Sequence, residues 1–428
     1  MNRSILRLAV PALGALAIDP LLTLADTAFV ARLGVTELAA LGVDTAILGF
    51  AFFAFNFLAY VTTPLVAQAL GRNDVEGAKK WVGDALVLAV GLGIIVAVAL
   101  LAFAPLLVGL MGADDPISGP AVDYLRIRAL ATPAVLIVLA GHGAFRGYHD
   151  TRTPLLVAAI VNGVNLVLDP ILIFGFGWGL QGAAIATVIA QWLGAVLFIR
   201  MLFRREMLSR PENIKAALPS VLTLGRNGVL VSMRTAAILI ALTIAAGKAT
   251  RLGAEAIAAH QIVVQVWLLA SMGADAFAIA GQVMVGDAVG KSDRRMVNAI
   301  TGRLAGWGIG VGGVLLVGFW MARGLLAALS SDPSVGDLAV DAAGVAALMQ
   351  PIAAPLFVAD GIFLGLLALG VLVVSTASGA AVAVGLMLFT SLGDSLTGIW
   401  WAIAAMVAIR LAVFAFAYPR SVTGALRS

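Results

Sequence analysis

Apolar runs of more than about 18 residues follow one another along this chain from Ile5 to Tyr418, separated only by short polar breaks. Few folds are open to such a pattern. Inside a bilayer no water is present to satisfy backbone N–H and C=O groups, so a span must be a helix or part of a closed barrel. Runs near 20 residues suit helices, whereas membrane strands need only about 10. Only 12% of the 428 residues are charged, against about 25% in soluble domains. The sequence therefore predicts an all-α polytopic membrane protein, with the lipid bilayer as its first partner.

Polar breaks divide the chain into twelve predicted helices: 5–30, 38–70, 80–110, 119–145, 153–175, 180–204, 214–247, 254–287, 295–328, 334–368, 370–393 and 397–418. The break near LLALGVLV, between helices 10 and 11, is marked by no charge. Residues 5–30 read as a membrane helix that directs insertion itself, since no small-residue cleavage pattern follows a short apolar region. If the N-terminus is cytoplasmic, 19 of the 27 basic residues fall on that side, among them Arg3, Lys79, Arg146, Arg205, Arg294 and Arg420. The acidic loops GADDPISG and SSDPSVGD fall on the other side. The positive-inside rule then puts both termini in the cytoplasm. The net charge of +4 thus reflects topology, and no nucleic-acid partner is expected. There is no cysteine, and His142, His149 and His260 are too scattered to suggest a metal site.

The chain repeats itself. ARLGVTELAA (31–40) lies over TRLGAEAIAA (250–259) at an offset of 219 residues, and GRND (71–74) over GKSD (290–293) at the same offset. Gly83 falls over Gly302, and GLQGAAIA (179–186) over GIWWAIAA (398–405). The expected architecture is two pseudo-symmetric six-helix lobes, 1–207 and 208–428, with RMLFRREMLSRPENIK (200–215) as linker. Six helices per lobe give both the same orientation, an arrangement typical of transporters, with substrate between the halves.

Charges inside such helices are costly and mark function by default. In NLVLDPILIF (165–174), Asp169 is followed at once by Pro170, which removes a backbone donor from its helix. At 100° per residue, Asn162, Asn165 and Asp169 fall within about 60° of one another on helix 5. Helix 1 repeats the theme: Asp19, Thr23 and Asp26 share a face, Pro20 follows Asp19, and Pro11 supplies a second bending point. Two carboxylates brought together in one lobe can share a proton, since both cannot ionise cheaply side by side. Asp275 in helix 8 reads either as a site residue or as a partner of Arg234. Asp360 in helix 10 has no basic partner evident from sequence. Arg126 and Arg128 read as snorkelling side chains or partners of Asp123, and His260 as a packing residue. Arg234 and Arg410 lie deep in helices.

Several of these motifs together resemble the multidrug and toxic compound extrusion (MATE) family, in its DinF-like branch. The first helix, VPALGALAIDPLLTLADTAFVARLG, reads P-x8-P-L-x4-D-T-A-x-V-x-R-L-G, similar to the branch's pattern. YLRIRALATP (124–133), FRGYHDTRTP (145–154), NLVLDP (165–170), AAHQI (258–262) and DAFAIAGQ (275–282) continue it through both halves. By resemblance, the family's first-lobe cation or proton coupling site maps onto Asp26, Asn165, Asp169 and Thr187. Asp19, Asn162, Gln191, Tyr124, Asp275 and Asp360 are further candidates for a polar cavity. The resemblance implies a secondary antiporter, not an enzyme, which exports amphipathic, cationic small molecules in exchange for H+ or Na+. It implies no other cofactor, a bacterial cytoplasmic membrane and a monomer. The chain departs from the family in lacking a polar turn between helices 10 and 11. Helix 7 also lacks the glutamate that another branch carries. No phosphate loop, HExxH pair or GxSxG elbow appears. A membrane-embedded aspartyl protease is conceivable from Asp26 and Asp169 alone, but the repeat and the Asn-rich setting favour transport. A flippase for a lipid-linked saccharide is the remaining alternative, and it would be expected to line its cavity with several cations.

Overall fold

The computed structural model describes residues 1–209, 214–327 and 332–427, apart from the side chains of residues 19, 53, 214–217 and 327. The described residues are almost wholly helical, with no strand among them. Two compact units are formed, Gly14–Gly228 and Val229–Ser428, the second also including Met1–Leu13. The expected linker 200–215 and the acidic loop 330–337 lie partly outside the described residues. The first unit is built from α1 (Asn2–Val30, whose first turns belong to the second unit), α2 (Val35–Phe55), α3 (Phe57–Gly71), α4 (Val75–Leu110), α5 (Ser118–Ala129), α6 (Thr132–Gly147), α7 (Arg152–Pro170) and α8 (Gly179–Arg204). Then follow α9 (Ile214–Arg251), α10 (Ala254–Gly290), α11 (Arg294–Ala327), α12 (Pro333–Leu348), α13 (Gln350–Gly365), α14 (Leu369–Phe389) and α15 (Leu396–Ala425).

Among the described residues, ten segments are long and apolar enough to cross a membrane, and the pairs α5/α6 and α12/α13 bring the number to twelve if each is one span. Those two pairs correct the expected helices 119–145 and 334–368, which are not straight. They bend by 50° and 57°. Pro133 and Pro351 sit in the first turn after each bend. A proline there cannot donate to the preceding turn, and its ring displaces the carbonyl it would clash with.

The repeat extends to the backbone and the packing. Helix pairs α3/α6, α4/α6, α4/α5, α5/α8 and α7/α8 of the first unit have counterparts in α10/α13, α11/α13, α11/α12, α12/α15 and α14/α15 of the second. Four helices, in two repeat-related pairs, end in the cap that α8 also carries at Glu206, a residue at positive φ followed by an N–H that reaches back five residues. Asn73 and Ser292 are one repeat-related pair of such residues, His149 and Leu367 the other. The closing bonds are Asp74 N to Ala69 O, Asp293 N to Ala288 O, Asp150 N to Phe145 O and Ala368 N to Phe363 O, at 2.9–3.1 Å. This is the Schellman closure, which satisfies the last carbonyls without any side chain. It explains how the chain turns between α13 and α14 through purely apolar residues.

Two seams are set by glycine. Gly143 and Gly147 let α6 lie directly on the backbone of α3, at Ala59 and Thr63, while Gly361 and Gly365 do the same for α13 on α10 at Ala278 and Gln282. A Cβ at Gly147 would stand 2.9 Å from the Thr63 carbonyl, and one at Gly365 2.8 Å from that of Gln282. With lipid as apolar as the side chains, such close approach is how membrane helices gain contact.

Two predictions follow from these features. Gly361→Ala drives a methyl into the Ala278 backbone and should cost about 1–3 kcal/mol, the usual range for overpacking. Gly163→Ala, where nothing lies within 4 Å, should leave the thermal unfolding midpoint in detergent unchanged or higher; equal loss in both variants would contradict the seam. The second prediction concerns Asp150, which lies in the loop before α7. Its carboxylate accepts from the N–H groups of Arg152 and Thr153, the Thr153 hydroxyl at 2.6 Å and Arg205 Nη1 at 2.6 Å. Partial burial opposes its charge, but these bonds outweigh it and hold the carboxyl below its ordinary value. A depressed folded pKa stabilises above the unfolded value, near pH 4, and that contribution disappears as pH falls through the lower folded value. Asp150→Ala should therefore lower the unfolding midpoint at pH 7, by the about 0.5–2 kcal/mol expected of a lost cap. Its difference from the parent chain should shrink on acidification, and a gap that widens towards acid would refute the assignment.

Candidate functional site

Four helices of the first unit bring ionisable groups together inside it. α7 runs from Arg152 to Pro170 and passes into a π-helical turn, Ile171–Gly175, where Phe176 N bonds Ile171 O at 2.9 Å. The missing Pro170 donor breaks the α-ladder at this point, and the wider turn re-satisfies the backbone. Asn165 and Asp169 lie one turn apart just before it, each 1% exposed, with Asn165 Nδ2 donating to Asp169 Oδ1 at 3.1 Å. From α1, Asp26 brings its half-buried carboxyl within hydrogen-bonding reach of Asp169. Two carboxyl groups in that relation need a proton between them, because carboxylate oxygens only accept.

α5 adds Tyr124, 7% exposed, and Arg128 one turn later. Arg128 lies in electrostatic reach of Asp26, Asp169 and Tyr124. It also reaches Asp44 of α2, which is fully buried. The expectation that Arg128 would snorkel or pair with Asp123 is thus corrected: it faces inward, and Asp123 instead accepts from Gln181 Nε2 at 3.2 Å. Arg126 is exposed. Asp44 escaped the sequence reading, although an acid within the apolar run GVDTAILGF carries the same signal as Asp169.

Two other candidates bond within their own helices. The Thr187 hydroxyl on α8 donates to Ala183 O of its own helix at 3.0 Å, and Asn162 Nδ2 likewise to Ala158 O at 2.8 Å. Gln191 is half-buried on α8. Asp19 lies on α1, its side chain outside the described residues. Pro11 and Pro20 sit within α1, which runs through both without a break.

Asp275 and Asp360 belong to the second unit, and nothing near Asp360 in the sequence points to what surrounds it. Its buried carboxylate takes Arg234 Nη2 at 2.6 Å and Arg410 Nη2 at 2.8 and 3.0 Å. Asp275 lies near both Arg234 and Asp360. Only folding brings these groups together, since 126 residues separate Arg234 from Asp360. Gly379 of α14 leaves room for the Arg410 stem. His260 is buried against Trp400, with ring centroids 5.7 Å apart, as a packing residue.

Known proteins share this architecture. The family model described as MatE matches residues 11–171 and 229–388, one match in each half of the sequence. Protein DETOXIFICATION 44, chloroplastic, of Arabidopsis thaliana is 35% identical over 96% of this chain and 81% of its own length. DNA damage-inducible protein F of Escherichia coli is 30% identical over 68% of this chain and 64% of its own. Among solved structures, the Vibrio cholerae MATE transporter VcmN in the bent form aligns with a TM-score of 0.91 over 99% of this chain and 97% of that one, at 20% identity. The fold is theirs, and with the two family matches and the relatives above, this chain belongs to the MATE family of multidrug and toxic compound transporters.

Proposed function

We propose that this chain is a secondary antiporter that exports amphipathic, cationic compounds in exchange for protons or sodium, with the first unit as its coupling site. The observation that carries this reading is the buried Asp26–Asp169 pair with Asn165 bonded to it. A pair that holds one proton changes its charge when that proton leaves. The surrounding helices then prefer a different arrangement, and an ion gradient drives transport only through such differential affinity. α1, which supplies Asp26, carries Pro11 and Pro20 as bending points. Each charge moved down about 100 mV supplies about 2.3 kcal/mol. Thr187 completes the site in this reading as an uncharged acceptor. The segregation of basic residues supports cytoplasmic termini, in this reading in a bacterial cytoplasmic membrane.

The saccharide-lipid flippase finds less support. It needs cations offered to an anionic head group, and the two deep arginines of the second unit are engaged with Asp360.

In proteoliposomes loaded with ethidium, with pH and sodium gradients imposed separately, Asp26→Asn and Asp169→Asn should each cut gradient-driven export about tenfold or more. The double variant should be little worse than either, because the two act as one unit. Normal export by both single variants would end this reading. In the second unit, Asp360→Ala leaves two arginines without their shared carboxylate and should cost about 3–5 kcal/mol. Its unfolding midpoint should fall well below that of Asp26→Asn; comparable midpoints would show that the arginines find other partners at no cost.

A further inference from the structure

The first-unit cluster contains more than its shared proton requires. Asp44 is 0% exposed, and neither of its carboxylate oxygens has a hydrogen-bond partner among the described residues. Arg128 Nε and Nη1 are buried and equally unpartnered, as are Asn165 Oδ1 and Asp169 Oδ2. A buried charge without partners is costly, so the acids and the guanidinium have reason to face one another. The charged and titratable groups around Arg128 are Asp26 from α1, Asp44 from α2, Asp169 from α7 and Tyr124 on its own helix. α8 spends Gln181 on Asp123. α4 carries its charges, from Glu76 to Asp84, at the end away from α5.

We propose that Arg128 is a resident counter-cation of this cluster, that Asp44 is its alternative partner, and that together they reserve the site for protons by taking the place of sodium. The inference rests on the coupling role given above to Asp26 and Asp169, and makes the ion specific. A sodium ion needs several oxygens at once, and the acceptors it would use here, Asp169 Oδ2, Asn165 Oδ1 and the Asp44 carboxylate, lie around a fixed positive charge that repels a second cation. A proton needs a single oxygen. When it adds to the Asp26–Asp169 pair, an O–H bond forms and one negative charge is lost there. The guanidinium is then left with Asp44 as its partner. When the proton leaves to water, the carboxylate charge returns and Arg128 is drawn back to it. Arg128 is in this sense a positioning and specificity residue that binds no substrate.

The test reads sodium binding directly. Purified protein in detergent is unfolded thermally in sodium chloride and in choline chloride at equal ionic strength. The parent chain should show no sodium-specific shift. Arg128→Gln should gain a sodium-dependent rise of about 2–4 °C, the scale expected for a new ligand site. Arg128→Lys keeps the charge and should stay indifferent to sodium, which a purely structural arginine would not predict. Where Arg128→Gln does not fold, Asp44→Asn/Arg128→Gln removes both charges of the pair and should show the same gain. A sodium-dependent rise in the parent chain, or none in the charge-removed variants, overturns the proposal. In the ethidium liposomes the parent chain should respond to the pH gradient alone. If neither gradient moves ethidium, the antiport reading fails, while the unfolding measurement still decides whether Arg128 excludes sodium.

Discussion

Hydrocarbon offers no hydrogen bonds, and nearly every feature of this molecule follows from that deficit. It forces the backbone into helices and requires that helix ends be closed from within the chain. The four Schellman caps do so with main-chain groups alone, at repeat-related positions in the two units. It also removes the hydrophobic effect as a force between helices. What remains is close packing, and the glycines of α6 and α13 supply it at backbone-to-backbone distance.

The same deficit governs charge. The two units share one packing plan but resolve their buried acids in opposite ways. In the second, Asp360 is held by two arginines in direct contact, so its charge is fixed and its neighbours are pinned. In the first, three acids share a single arginine that holds none of them at ion-pair distance, and one acid leans on another. A balanced cluster is suited to holding structure, and an unbalanced one is suited to changing state. The duplicated framework leaves each half free to carry a different electrostatic arrangement.

Much of this was legible in the sequence, for physical reasons. Run length and the segregation of basic residues read out spans because insertion depends on hydropathy and loop charge. The 219-residue offset survives because it aligns residues with no substitute, such as Gly34 with Gly253, both at positive φ. Asp26, Asn165 and Asp169 were visible because polar residues in apolar helices stand out. What was hidden is whatever depends on which helices touch. In the sequence Arg128 lies close to a helix end, from which water is in reach, but the bend after Ala129 places it inside. Asp360 has no partner near it in sequence because Arg234 and Arg410 come from α9 and α15. The bend itself was invisible, since Pro133 and Pro351 read equally well as first-turn prolines of straight continuations.

The glycine seams divide the molecule into parts that lipid can and cannot penetrate. Between α3 and α6, and between α10 and α13, no acyl chain can enter, so these pairs are indifferent to the composition of the bilayer around them. α1 differs: it turns Leu13, Leu21 and Leu24 outward, each at least 40% exposed. A helix solvated by acyl chains along much of its length shares in their thickness and order, because tilting and bending are how a span accommodates mismatch. Where acyl chains cover those leucines, the conformation of α1, and with it the position of Asp26, would follow the thickness of the bilayer as well as the pH.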